Sequence, residues 1–451
     1  MFSKRSTSIA KPTRLRRGLS VLVGALVVGA VAASPAAATF GAPFDLSAAG
    51  QDASDPLSAS DPQVAVDANG NAVFAWQRFD GANYRVQARA RSAAGVLSAV
   101  QTLSSSGRDA VAPQVAVDAK GNAVFTWIRS DGANLRVQAR ARSAAGALSA
   151  VQTLSAAGSS AFNPQVAVDA NGNAVFAWQR FDGANRRVQA RARSAAGVLS
   201  AVQDISEAGQ DAFNPHVAVD TNGVAVFAWR RSDGANSRVQ TRVRGAGGAL
   251  SAVQTLSAAG RDASEPQLAV NGGGKAVFTW LLFDSDANYR AQARARSAAG
   301  ALSGVQNLSA AGQDASDPRV AVDGDGDAVF AWQRFDGANL RVQARARSAA
   351  GALSPVQDLS AVGQDAAQPR VGVDTGGDAV FAWRRADHPG VDVIQAREQT
   401  AAGALFAVQT LSDAERNASS PQVAVGAGGD AASTWTRFDG ANWRVQAAIG
   451  P

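Results

Sequence analysis

Six places in this chain carry the same four residues. Asp-Gly-Ala-Asn begins at Asp80, Asp131, Asp182, Asp233, Asp336 and Asp439, and its asparagines are Asn83, Asn134, Asn185, Asn236, Asn339 and Asn442. A carboxylate and a carboxamide three residues apart, with a guanidinium such as Arg78 just upstream, could hold a polar ligand in several equivalent sites. The same residues also make good turns, because Asp and Asn bond their own backbone and Gly accepts φ > 0. The sequence leaves both roles open. On the binding alternative, Arg78, the six aspartates and the six asparagines are the candidate ligand-binding residues.

Other constellations are more restricted. Asp67-Ala-Asn-Gly-Asn71 becomes Asp323-Gly-Asp-Gly-Asp327 further on. Alternating oxygens at Asp323, Asp325 and Asp327 raise calcium as a possible cofactor, but the bidentate acid that an EF-hand needs at its twelfth position is Arg334 here. An Asx turn closing a hairpin accounts for the motif without metal, so no metal site or cofactor is assigned. Recurrent arginines, such as Arg85, Arg89 and Arg91, either line phosphate or sulfate grooves or pair with the equally periodic aspartates. The chain has no cysteine and two histidines. Thiol catalysis is therefore excluded, and a histidine-built zinc site is disfavoured. His388 beside Asp387 and Asp392 is the one acid/base arrangement to name. No nucleophile elbow or P-loop is present, and no catalytic residue is assigned.

These residues sit on a repeating unit. Trp76, Trp127, Trp178, Trp229, Trp280, Trp332, Trp383 and Trp435 recur at a nearly constant interval, the signature of a repeat architecture. In the first unit, residues 63–67 are β-branched and Asp67 to Asn71 form a turn. Residues 72–79 are a second run, Asp80 to Asn83 a second turn, and residues 84–92 alternate strictly. Residues 96–104 supply a fourth, weaker run after Ala93-Ala-Gly95. Period-two alternation between Gly/Asn/Asp turns predicts a four-stranded antiparallel meander. Phe74 and Trp76 share one strand face, so the tryptophans are read as packing between units rather than as sugar platforms.

The two ends complement each other. Residues 44–53 match a fourth strand and its exit loop, and the last unit, from Pro421, has three strands. Joined, they make one whole unit. The fold class read from this is all-β: an eight-bladed β-propeller with four antiparallel strands per blade, closed by the N-terminal strand completing the last blade. A single propeller domain is expected over residues 39–451.

Residues 1–38 read as a signal peptide. Lys4, Arg5, Lys11, Arg14, Arg16 and Arg17 precede an apolar run over residues 19–33, shorter than a spanning helix needs. Small residues lead to a cleavage position near Ala38. The Arg16-Arg17 pair resembles part of a twin-arginine signal. The expectation is a secreted, extracellular protein with no stable membrane anchor. Removing the leader takes away six of the 43 Lys and Arg and leaves 37 bases against 37 acids. A neutral mature chain lacks the basic footprint of a nucleic-acid binder.

The stretch Val64-Ala-Val-Asp-Ala-Asn-Gly-Asn-Ala-Val73 resembles the blade openings of NHL-type and other bacterial secreted β-propellers, a class of tandem repeats that includes WD40-like ones. It recurs at Val115, Val166 and Val217, and in altered form at Leu268, Val320, Val371 and Val423. Trp76 stands where NHL blades often place an aspartate, and these repeats are longer. The resemblance implies a binding platform more often than an enzyme. The functional expectation is a secreted, non-enzymatic monomer presenting repeated polar loops to an extracellular glycan or protein. The alternative is an extracellular polysaccharide hydrolase or lyase with its site in the divergent blades five to seven.

Overall fold

A computed structural model of the chain describes residues 39–53, 62–285 and 287–450. The expected leader at residues 1–38 lies outside the described residues. The described residues form eight four-stranded antiparallel sheets and no helix. In blade one the strands run in sequence order across the sheet: Gln63–Val66, Ala72–Phe79, Tyr84–Arg91 and Gln101–Thr102. Blades two to seven repeat that order. Blade eight consists of Ala418–Val425, Ala431–Phe438 and Trp443–Ile449, with Phe44–Asp45 as its outer strand. Phe44 pairs with Ala447 and Asp45 with Gln446. The eight-bladed propeller and its closing strand are therefore as the sequence predicts.

Burial explains the tryptophan interval. All eight rings are at most 1% exposed. Trp127 of blade two packs with Val73, Val86 and Leu103 of blade one, and Trp76 packs with Leu46, Val445 and Ala447 of the closing blade. Each ring thus cements its blade to the preceding one. A buried tryptophan removes roughly 150–250 Å² from water, so these rings are structural and unavailable for stacking on a ligand.

Two features depart from the expected strand pattern. The fourth run is a strand over only two residues per blade, with one further bridge such as Arg91 to Leu97. Serine side chains replace the missing ladder bonds. Ser104 Oγ accepts the buried Val86 amide at 3.0 Å, and Ser98 Oγ accepts the Ala90 amide at 3.0 Å.

The first strand, moreover, is bulged. Its register shifts between Phe162 and Gln165 in blade three, and at the same place in blades two and four to eight. The bulged residue precedes a proline and has a positive φ: Ala112, Asn163, Asn214, Glu265, Asp317, Gln368 and Ser420, at 50–57°. Side chains rarely adopt that region, and the residue before proline normally prefers extended backbone. Proline has no N–H to offer the ladder, and in several blades a side chain takes the bulged residue's own amide, as Gln179 Oε1 takes that of Asn214 at 3.1 Å.

The arginine ladder knits blades together through backbone carbonyls. Arg140 Nε donates to the Ser149 carbonyl of its own blade, and Nη1 to the Leu103 carbonyl of the preceding blade at 3.1 Å. Arg142 Nε reaches Gln101 Oε1 of that same neighbour at 2.8 Å. Aspartate pairing is confined mainly to the first arginine of each set, as in Arg85 with Asp80.

Candidate functional site

Second-to-third strand turns and the loops between blades share one end of the ring, as an up-and-down meander requires. At this end Asp80 Oδ1 accepts the amides of Ala82 and Asn83 at 3.0 and 2.8 Å, and Oδ2 lies 3.3 Å from Arg85 Nη1. Those two amides, helped by Arg85, hold the Asp80 carboxyl below its ordinary value. Asp131, Asp182, Asp233, Asp336 and Asp439 are held the same way. The turn opens with Gly81 at φ +98°, which suits its first central position.

The rest of the predicted set divides by role. Arg78 donates to the Ala49 carbonyl at 3.3 Å and so pins the loop between blades. Asn83, Asn134, Asn185, Asn236, Asn339 and Asn442 close their turns through backbone carbonyls, or through backbone amides bonded to the aspartate. Among the described residues their carboxamide groups have no hydrogen-bond partner, and they face solvent half-buried. All of these residues lie on one face, each set on its own blade.

Aromatic rings flank several of these turns. Phe79 and Tyr84 meet at 5.4 Å, Phe283 and Tyr289 at 5.2 Å, and Phe438 and Trp443 at 5.7 Å. Phe181 and Phe335, at the same corner of blades three and six, are 45% and 40% exposed. In every case the ring closes the strand pair beside the turn.

Blade seven breaks the pattern at this corner. Its second strand runs to His388, and Pro389-Gly390 turns the chain into Val391–Gln399. A cleft of about 590 Å³ opens there, bordered by Asp387, His388, Asp392, Arg384, Asn339 and Trp443. His388 Nδ1 lies 3.2 Å from Asp387 Oδ2, whereas Asp392 is engaged by Arg384 at 2.7 Å. The blade-five variant turn is closed by the Asp284 amide on the Asn288 carbonyl, and its Asp286 lies outside the described residues.

At the opposite end, Asp323 Oδ1 accepts the amides of Asp325, Gly326 and Asp327 at 3.0, 2.8 and 2.9 Å. Asp327 Oδ1 accepts the Ala349 amide at 2.6 Å. Of the oxygens named for calcium, Asp323 Oδ1 is thus engaged by the turn itself and Asp327 Oδ1 by the turn at Ala349. Among the described residues no cluster of three or more His, Cys, Asp or Glu is placed to hold a metal.

The axis of the ring holds residues that the sequence reading passed over. The first strands of the eight blades bring Gln63, Gln114, Gln165, His216, Gln267, Arg319, Arg370 and Gln422 around one channel of about 320 Å³. It continues into a wider well of about 660 Å³ at the turn end, bordered by the bulged residues Asn163, Asn214, Glu265 and Asp317. Bulges of adjacent blades are linked: Asn163 Nδ2 donates to Asn214 Oδ1 at 3.3 Å, the Asp317 amide to Glu265 Oε2 at 3.1 Å, and the Ser420 amide to Gln368 Oε1 at 3.1 Å. Burial, then the neighbouring Asp317, push the Glu265 carboxyl up. Burial, then the Arg319 charge, push His216 down to about 4. A recurring Pro-Gln one period apart was the available sequence signal. It went unread because nothing in it tells which side chains a closed ring turns inward.

No protein-family model matches the chain, and no curated protein matches its sequence. Solved structures do resemble it. The WD40 domain of SCAP from fission yeast superposes with a TM-score of 0.51 at 11% identity, over 91% of this chain and 98% of that one. The β-propeller domain of the Trilobed protease from Pyrococcus furiosus gives 0.48 at 6% identity, over 79% and 97%. An α-L-arabinanase from Penicillium chrysogenum, complexed with arabinobiose, gives 0.40 at 13% identity, over 64% and 92%. At such identities the likeness is one of fold.

Proposed function

We propose that the chain is an exported, non-enzymatic binding propeller that holds an extracellular glycan on the face of the Asp-Gly-Ala-Asn turns. The observation that carries this reading is found at the corners of blades three and six, where an exposed ring and a half-buried asparagine with an unpaired carboxamide border the same turn: Phe181 with Asn185, and Phe335 with Asn339. A sugar ring has an apolar face of C–H groups and an edge of hydroxyls. It fits a flat aromatic surface flanked by fixed donors and acceptors. The turn aspartates contribute by fixing the corner rather than by meeting the ligand. Similar corners around one rigid ring bind a repeating polymer at several points, each weakly, and gain from multivalency. Export rests on the leader-like residues 1–38.

The test is retention on immobilised polysaccharides, with the intact protein beside a Phe181→Ala/Phe335→Ala double variant. Weaker retention of the variant, with unchanged melting, supports the reading. Equal retention overturns it.

A second reading, a polysaccharide hydrolase or lyase, is favoured by one observation. The blade-seven cleft puts His388 and Asp387 beside the partly exposed Trp443. Turnover of soluble polysaccharide that disappears in Asp387→Ala and His388→Ala would support it, and turnover unchanged by both would reject it.

A further inference from the structure

The axial channel differs in kind from the rim. Across blades two to five its wall is formed in succession by Gln114, Gln165, His216 and Gln267. Among the described residues none of these four side chains has a hydrogen-bond partner, although each carries both donor and acceptor capacity when His216 is neutral. The facing wall is charged but balanced. Asp317 is engaged by Arg319 and, at 3.4 Å, by Arg370, and Glu265 accepts the Asp317 amide. One half therefore offers unpaired neutral hydrogen-bonding groups, and the other offers charges already matched to one another. The well above it, at about 660 Å³, is within the size range of small-ligand pockets.

We propose that this axial well is a second binding site, for a neutral polyhydroxylated ligand such as one end of a glycan chain, held by Gln114, Gln165, His216 and Gln267. Hydroxyl groups donate and accept, as these side chains do. An anion would have to draw Arg319 and Arg370 away from Asp317. A cation would find no carboxylate on the carboxamide wall. An apolar guest would strand the carboxamides without partners, which costs more than an unmade bond gains. The bulges add rigidity: their αL backbone is a strained conformation retained in seven successive blades, and linked bulges hold the rim of the well in one shape. The inference rests on the proposed glycan class of ligand, but not on the rim as its location.

The test is calorimetric titration of the intact protein with neutral trisaccharides of gluco, galacto and manno configuration, and with trigalacturonate. The expected result is one site per chain for at least one neutral trisaccharide. Its affinity should fall about tenfold in Gln165→Leu and in Gln267→Leu, as loss of a hydrogen bond in a partly dry site predicts, and stay unchanged in Val96→Ala, at an exposed side chain away from both proposed sites. Melting curves of the leucine variants establish that they fold. Tighter binding of trigalacturonate, or affinity indifferent to both leucine variants, would overturn the axial site. Binding at several positions per chain that depends on Phe181 alone would overturn the well and leave the rim reading standing. One site that depends on Gln165 and Gln267 and not on Phe181 would establish the well and leave the rim to the polymer-retention test. No binding of any trisaccharide overturns the axial proposal, and polymer retention then judges the rim separately.

Discussion

Asp52 Oδ1 accepts the backbone amide of Trp443 at 2.8 Å, joining positions 391 residues apart. Around this bond the ends of the chain are sewn together. The Leu46 amide donates to the Val445 carbonyl at 2.9 Å, and Ser47 Oγ accepts the Val445 amide at 3.0 Å. Leu46 itself is fully buried against Trp76.

Leu46→Ala should accordingly destabilise the whole ring, by about 2–5 kcal/mol, as large-to-small changes in a packed core do. Val96→Ala, at a side chain 69% exposed, should change little. Urea denaturation of the two variants checks the contrast. Equal midpoints would mean that the closing strand adds nothing to cooperativity.

Ser206 is the best place to test the serine bonds that stand in for a fourth strand. Its Oγ accepts the Val188 amide at 3.0 Å in a buried setting. Ser206→Ala strands that amide and should cost about 1–3 kcal/mol. A loss no greater than that of an exposed serine substitution would mean that water replaces the bond.

His216 makes stability depend on pH. Its folded value, about 4, lies below the ordinary 6.5, so the unfolded chain binds the proton more readily. Stability from this group is complete above pH 6.5 and is lost as pH falls toward 4, by roughly 1–3 kcal/mol. Gln occupies the same position in five other blades, so His216→Gln should fold and should flatten the decline between pH 6.5 and 4. Melting temperatures across that range check it. Parallel curves for the two proteins would contradict the assignment.

Asp182 separates turn chemistry from ligand contact. Asp182→Asn keeps an acceptor for the Ala184 and Asn185 amides and gives up the ion pair with Arg187, which is solvent-screened and worth little. Melting and glycan retention should both stay close to the parent. Asp182→Ala loses the acceptor and should loosen the corner that carries Phe181, lowering retention. Equal behaviour of the two variants would show that the carboxylate does not shape the corner.

Much of this architecture is legible in the residues. The interval from Trp76 to Trp435, the alternation over residues 84–92 and the fragment at residues 44–53 predict blades, strands and closure, because each is a local pattern with one geometric outcome. The Pro-Gln positions resisted reading for two physical reasons. Pre-proline residues such as Asn163 prefer extended backbone, so a bulge there opposes local propensity. And the inward aim of Gln165 is set by ring closure, which no single blade encodes. The weaker fourth run, residues 96–104, pairs over only two residues and one bridge, because Ser98 and Ser104 hydroxyls take amides of the third strand that a full ladder would otherwise pair.

Because Trp127 rests on Val86 and Leu103 of the preceding blade, and the same relation recurs around the circle, the blades lean on one another in a single sense. A defect at Leu103 is felt first by the tryptophan that follows it in sequence, not by the one before. Damage of that kind should spread toward higher residue numbers and, through Leu46 and Trp76, come round again to its starting point.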